Sequence, residues 1–361
     1  MSSTAYKAPG RIGNPDLDLE HDPRTRPDLL TALKSMGLAS NSVMDWAKTP
    51  EEQEQHCKVS HEGFSAVYEQ LPNDLPGDAS EPDVQQTEIS IESFDGSKIK
   101  LYVYRAKGSD NVPAVLYIHG GGATILETTA KPHLRWLKSL ALKGVVAIGV
   151  DFRNAWQPDG NHCQFPTGLN DCAAAVRYVH AHKKELGVSK IIIQGESGGA
   201  NLTLATALKA NREGWSDIIA GVYGAVPFIS GAYGWPIERK LAELPSLVEC
   251  DGYFLNIPGV DGMAQFYAPK EEDKTNPLAW PYFATEQDLR GLPPHLLSMD
   301  ELDPLRDEGM AYYRKLLAAG VRVTAEVNLG IVHATSLIFR KAVPDVHEKA
   351  VERIVAFAKA V

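Results

Sequence analysis

Residues 190–210 read KIIIQGESGGANLTLATALKA. A short β-branched run ends at Gly195, Ser197 sits between Glu196 and Gly198, and a helix-forming stretch follows at once. GxSxG between a strand and a helix is the pattern of a nucleophile elbow, in which the serine occupies a strained turn and small flanking residues let strand and helix approach closely. Taken alone, the motif would also fit a Gly-rich turn with an incidental serine, because glycine turns after strands cradle phosphates. The strand before it and the helix after it favour the elbow, with Ser197 as nucleophile.

The same rhythm runs outward in both directions. Upstream, QTEISIESF and KIKLYVYRA alternate apolar and polar residues around Asp95-Gly96, which predicts an antiparallel hairpin. AVLYIH (114–119), VVAIGVDF (145–152), IAGVYGAVPF (219–228), PHLLSMD (294–300) and VTAEVNL (323–329) supply further strands, several of them apolar enough to be covered on both faces. Amphipathic stretches over 169–186, 200–211, 307–319 and 344–359 fit helices between them. The alternation predicts a mostly parallel, eight-stranded sheet with helices on both faces.

Before residue 87 no strand-like alternation occurs. Leu29, Leu30, Leu33 and Met36 predict one helix and residues 51–68 a second, joined to the sheet by the connector LPNDLPGDASEPD (71–83). Residues 229–292, rich in Gly, Pro and aromatic side chains, are too long for a plain loop and complete a helical cap. The resulting division is an N-terminal cap segment (1–90), the first part of an α/β core (91–228), a second cap segment (229–292) and the C-terminal part of the core (293–361). Tyr233, Trp235, Tyr253, Phe254, Trp280 and Tyr282 are candidates for lining an apolar pocket, with ordinary cap packing as the alternative. No residue is singled out as a substrate contact.

Three further signals surround the elbow. His119-Gly120-Gly121-Gly122 follows the strand AVLYI. Acyl transfer needs backbone N–H groups aimed at a developing oxyanion, and glycines allow that close approach, so Gly121 and Gly122 are the expected donors together with Gly198. The strand PHLLSM runs out into DELDPLRDEG (300–309), offering Asp300, Glu301, Asp303, Asp307 and Glu308 where open α/β sheets place their sites. Asp303 is the expected acid, since Asp307 and Glu308 more naturally open the following helix. With the chain order Ser, acid, His, only His333 and His347 remain; His347 lies within the C-terminal amphipathic helix as a surface or helix-face residue, whereas His333 falls in the loop after the last strand. His333 would then take the proton of Ser197 while Asp303 orients the imidazole.

Bulk composition narrows the partners. The chain has 361 residues and a formal net charge of -10, with no long run of either sign, which disfavours nucleic acid and anionic membranes and suits a small neutral substrate. Met1 to Pro23 lacks the basic start and apolar stretch of a secretory signal, and no 18-residue apolar run occurs, so a cytoplasmic location is expected. Cys57, Cys163, Cys172 and Cys250 are scattered without a Cys-x-x-Cys pair, as reduced thiols would be. The histidines show no paired ligand spacing, so no metal or cofactor is expected.

Together, HGGG, GESGG, DPLRDEG and the late His333 resemble the hormone-sensitive-lipase-like family of esterases over roughly residues 110–340. DFRNAWQ (151–157), FPTGLNDCAAAVRYV (165–179) and GLPPHLLSMDELDPLRDEGMAYYRKLLAAGV (291–321) look like further segments of that family. GESGG with a long N-terminal cap is most similar to the branch containing brefeldin A esterase. The resemblance implies an α/β-hydrolase fold, carboxylesterase activity on small to medium esters, a lactone as a plausible substrate, and a homodimer, since members often dimerise. Glu196 stands where many members carry Asp, Phe152 and Asn154 replace the commoner Tyr and Leu, and Ala334 replaces a Gly after the histidine. Two other readings stay open: a small-molecule binding protein on the same fold, as in the gibberellin receptors that lack the histidine, and an amidase or acyltransferase with the same triad.

Overall fold

Eight strands hydrogen-bond into one sheet in the order β1-β2-β4-β3-β5-β6-β7-β8, with β1 and β2 antiparallel to their neighbours and the rest parallel. The strands are β1 (Val84–Glu92), β2 (Lys98–Ala106), β3 (Val112–Ile118), β4 (Val146–Asp151), β5 (Val188–Glu196), β6 (Gly221–Ala225), β7 (His295–Asp300) and β8 (Val323–Asn328). This computed structural model describes residues 14, 16–71 and 84–361. Nearly all of the connector at 71–83 lies outside the described residues, as do residues 1–13.

The hairpin closes as its turn chemistry predicts, with Ser93 N–H donating to Ser97 O at 2.8 Å around Asp95-Gly96. β1 begins at Val84, so the division placed at 90/91 cuts through the first strand. After Val84 its residues QQTE (85–88) are polar because β1 is an exposed edge strand, and an apolar alternation is absent where neither face is fully covered. β5, by contrast, lies between β3 and β6 and is buried from Ile191 to Glu196, which is why it carries the apolar run Ile191 to Ile193.

The helices are α1 (Pro27–Ser35), α2 (Pro50–Gln70), α3 (Lys131–Leu142), α4 (Thr167–Ala181), α5 (Gly198–Arg212), α6 (Ile237–Glu243), α7 (Ser246–Glu249), α8 (Ile257–Tyr267), α9 (Glu286–Leu289), α10 (Arg306–Ala318), α11 (Thr335–Ile338) and α12 (Pro344–Ala360). α3 and α12 pack together, and α4 packs against α5 beneath β5. α2 is launched by a capping box at Thr49 and Glu52 and packs against α8. α3 has no counterpart in the sequence reading. Among the described residues no helix is long and apolar enough to cross a membrane.

A buried acid fastens the segment after β6 to α10. Glu308, in the first turn of α10, accepts from Ile229 N–H at 3.1 Å and from Tyr233 O–H at 3.0 Å. Burial pushes its carboxyl up from 4.5 to about 8. Between those values the unfolded chain binds fewer protons than the folded one, so stability falls as pH rises through that window. Glu308→Gln should therefore flatten the decline in urea midpoint between about pH 5 and pH 8; an unchanged slope would contradict this assignment.

Candidate active site

The elbow is a product of crowding. Ser197 has φ 54° and ψ -122°, a left-handed conformation that L residues avoid, and it caps the start of α5. A Cβ at Gly195 would collide with the carbonyl of Gly199, and one at Gly198 with the backbone of Gly122 and Ala123. Strand, helix and HGGG loop thus meet without side chains between them. The register pairs Ile118 of β3 with Gly195 and Gly195 with Gly224 of β6, so the HGGG loop and Ser197 leave adjacent strands at the same sheet edge.

The acid and the histidine arrive from the next two strands. β7 ends at Asp300 and β8 at Asn328; Asp303 and His333 occupy the loops beyond them. His333 Nδ1 lies 2.8 Å from Asp303 Oδ2, and Asp303 is fully buried, with its other oxygen accepting from Leu305 N–H at 2.9 Å. With Nδ1–H donating to Asp303, Nε2 is left as a base. Ser197, His333, Gly121 and Gly122 line one cavity with about 50 Å³ of open volume. Among the described residues the N–H groups of Gly121 and Gly122 donate to no protein acceptor. Unpaired donors beside a serine are what a developing oxyanion requires.

The rejected acids have other partners. Glu301 accepts from Gly330 N–H at 2.8 Å, Asp307 accepts from Ser246 N–H at 2.7 Å, and Glu308 holds Ile229 and Tyr233 as above. His347 is a correction: it is buried, not a surface residue, with Nδ1 2.9 Å from Ser336 O and Nε2 3.0 Å from Ser139 Oγ. α12 places it against α3, an element the sequence did not reveal. Burial lowers its pKa to about 4, so it stays neutral.

Residues 115–337 match the family described as alpha/beta hydrolase fold. The chain belongs to this α/β-hydrolase family. Among solved structures, brefeldin A esterase, a bacterial homologue of human hormone-sensitive lipase, matches with a TM-score of 0.93 at 45% identity and covers 98% of each chain. Esterase Est22 matches with a TM-score of 0.85 at 35% identity over 96% of this chain and 100% of that one. Carboxylesterase NlhH of Mycobacterium tuberculosis is 30% identical over 228 residues; the match spans 62% of this chain and 66%, just under two-thirds, of that relative. The resemblance read from the motifs is thereby borne out at the level of family and fold. The chain is a hydrolase of the hormone-sensitive-lipase-like branch.

In this hydrolase the departures from the family pattern have visible consequences. Ala334 adopts φ 56°, ψ 25°, the left-handed region in which a glycine would be unstrained. Phe152 stacks on His119 with ring centroids 4.6 Å apart, and Asn154 Nδ2 donates to Leu126 O at 2.7 Å. Glu196 Oε1 accepts from Gly120 N–H at 2.6 Å and from Tyr117 O–H at 2.9 Å, so it holds the HGGG loop against the elbow. Burial pushes its carboxyl up to about 8, and burial lowers the neighbouring His119 and His133 to about 3 and 4, leaving both rings neutral.

Of the six cap aromatics singled out in the sequence, Phe254 alone lines the cavity. Tyr233 packs flat on Phe228 and bonds Glu308, Tyr253 donates to Leu17 O and Asp22, and Trp280 packs edge-on to Phe228. The remaining lining includes Phe64 and Tyr68 from α2 and Val260 and Met263 from α8. No sequence signal marked these, because an apolar side chain at helical spacing reads the same whether it faces a core or a pocket.

Proposed function

We propose that the chain is a serine carboxylesterase for small to medium carboxylic esters, working through Ser197, His333 and Asp303. The observation that carries this reading is the 2.8 Å contact between His333 Nδ1 and Asp303, with His333 and Ser197 on one cavity wall. Serine is a poor nucleophile at neutral pH, so His333 Nε2 removes its proton as Oγ attacks the carbonyl carbon. Asp303 holds the imidazole in the tautomer that leaves Nε2 free and stabilises the imidazolium. The N–H groups of Gly121, Gly122 and Gly198 receive the negative oxygen. Collapse expels the alcohol, protonated by His333; a water deprotonated by the same histidine then releases the acid and restores Ser197.

The cavity shape supports a limit on substrate size. Phe64, Phe254, Leu255, Val260 and Met263 separate the inner cavity from an apolar groove of about 300 Å³ between α2 and α8, and they line both. A compact part of the ester sits inside and an apolar arm reaches the groove; macrocyclic lactones with one apolar face fit the same plan. Brefeldin A esterase and ethyl acetate hydrolase of Pseudomonas putida, by their names, act on brefeldin A and on ethyl acetate. A binding protein on this fold has no need of a histidine paired with a buried acid, and the pair is present here. The four free cysteines, three of them buried, support a reducing, cytoplasmic setting.

Hydrolysis of p-nitrophenyl esters from acetate to decanoate tests the reading. Short and medium chains should turn over, with decanoate the poorest. No release of p-nitrophenol from any of them would overturn the proposal.

A further inference from the structure

Beneath the elbow, beside the substrate cavity and sharing Glu196, Ala334 and Leu337 with it, lies a narrow second cavity with a volume of about 10 Å³. Its walls come from three adjacent strands and the loop after the catalytic histidine: Gln194 and Glu196 of β5, Tyr223 of β6, Asp300 of β7, and Ala334. We infer that this cavity is a site for one water molecule, which joins Gln194, Glu196 and Asp300 and so ties the oxyanion loop to the loop of His333.

Volume and chemistry agree on a single water. A cavity holds one water when it offers about 10–15 Å³ to a water-sized sphere and two to four polar partners. Gln194 Nε2, Glu196 Oε2 and Asp300 Oδ2 are all buried and have no hydrogen-bond partner among the described residues. Their other polar atoms are committed: Gln194 Oε1 accepts from Trp136 Nε1–H at 3.0 Å, Glu196 Oε1 accepts from Gly120 and Tyr117, and Asp300 Oδ1 accepts from Asn328 Nδ2 at 3.0 Å. Those bonds fix which atom of each group turns to the cavity. Buried polar groups left unpaired in this way are destabilising, and a bridging water removes that penalty.

The donors and acceptors suit a water as well. Glu196 accepts twice at Oε1, and burial raises the carboxyls of both Glu196 and Asp300. The water accepts from Gln194 Nε2–H and bridges Glu196 Oε2 and Asp300 Oδ2, accepting from the oxygen that carries a proton and donating to the one that does not. Glu196 grips Gly120, the residue before Gly121 and Gly122, while Asp300 lines the cavity together with Ala334, directly after His333. One molecule therefore bridges the groups that set the oxyanion donors and the base. Gln194 and Asp300 do not line the substrate cavity and are positioning residues; Glu196, which lines both cavities, acts through Gly120.

The direct test is a crystal structure of the whole chain at a resolution that shows ordered waters. One water within about 3.2 Å of all three atoms is expected; a dry cavity, or Glu196 and Asp300 bonded to each other without a water, overturns the inference. The kinetic consequence rests on the esterase reading and is tested by Gln194→Leu and Asp300→Leu, singly and together, with melting curves to verify folding. Each should lower kcat about tenfold and leave KM within about threefold. Because both remove the same water, the double variant should be no worse than the worse single one; losses that multiply would overturn the coupling. If no ester is hydrolysed at all, the esterase reading fails and the crystallographic result still decides the water site.

Discussion

Ser197→Ala should lower kcat on p-nitrophenyl acetate by at least about a thousandfold while the protein keeps its melting temperature and its affinity for product. The loss is large because no neighbouring group can replace the serine. Cys163 is partly exposed, but burial and nearby acids raise its thiol pKa and it lies outside the substrate cavity. The rate that remains should come from binding and the oxyanion donors alone. A drop of less than about tenfold would mean that another residue carries the nucleophilic step. The comparison should be made in stopped or continuous assays at enzyme concentrations high enough to measure the alanine variant.

Asp303→Asn should cost about 10³- to 10⁴-fold in kcat, nearly as much as losing the serine, although it changes only one atom. Asp303 Oδ1 accepts from Leu305 N–H at 2.9 Å, so the asparagine carbonyl keeps that bond and its NH2 is turned toward His333 Nδ1. The imidazole is then forced to accept at Nδ1 and to carry its proton on Nε2, where it cannot remove a proton from Ser197. KM should change little, because Asp303 lies behind the histidine and does not line the cavity. If Asp303→Asn retained most of the activity, the acid would have to be sought elsewhere in DELDPLRDEG. Asp300 would be the next candidate, since it too is buried at the end of β7.

Sequence was a good guide wherever geometry follows from backbone crowding or from a fixed period. The apolar run Ile191 to Ile193 fits a strand covered on both faces, and the glycines around Ser197 fit a close backbone contact. The chain order of Ser197, Asp303 and His333 then limited the histidine to two candidates, of which the one in a loop meets the acid. Sequence was a poor guide where identity depends on what packs on top. α3, with Arg135 and Ser139 buried among its apolar residues, does not announce itself as a core helix. His347 reads as a helix-face residue until α3 covers it. The cavity lining from α2 and α8 was invisible because Phe64 and Met263 carry no polar feature to distinguish a pocket from packing. The role of Glu196 toward Gly120 was likewise hidden, since a 2.6 Å contact between residues 76 positions apart leaves no local trace.

The claim on which all of this depends is that Ser197 becomes covalently acylated. Incubation with diethyl p-nitrophenyl phosphate, followed by intact-mass and peptide mass spectrometry, addresses it without reference to any natural substrate. One diethylphosphoryl group per chain is expected, on the peptide containing Ser197, with labelling slowed at least about a hundredfold by His333→Ala because the base is gone. An active enzyme that takes up no label, or takes it up on a residue other than Ser197, would contradict the account.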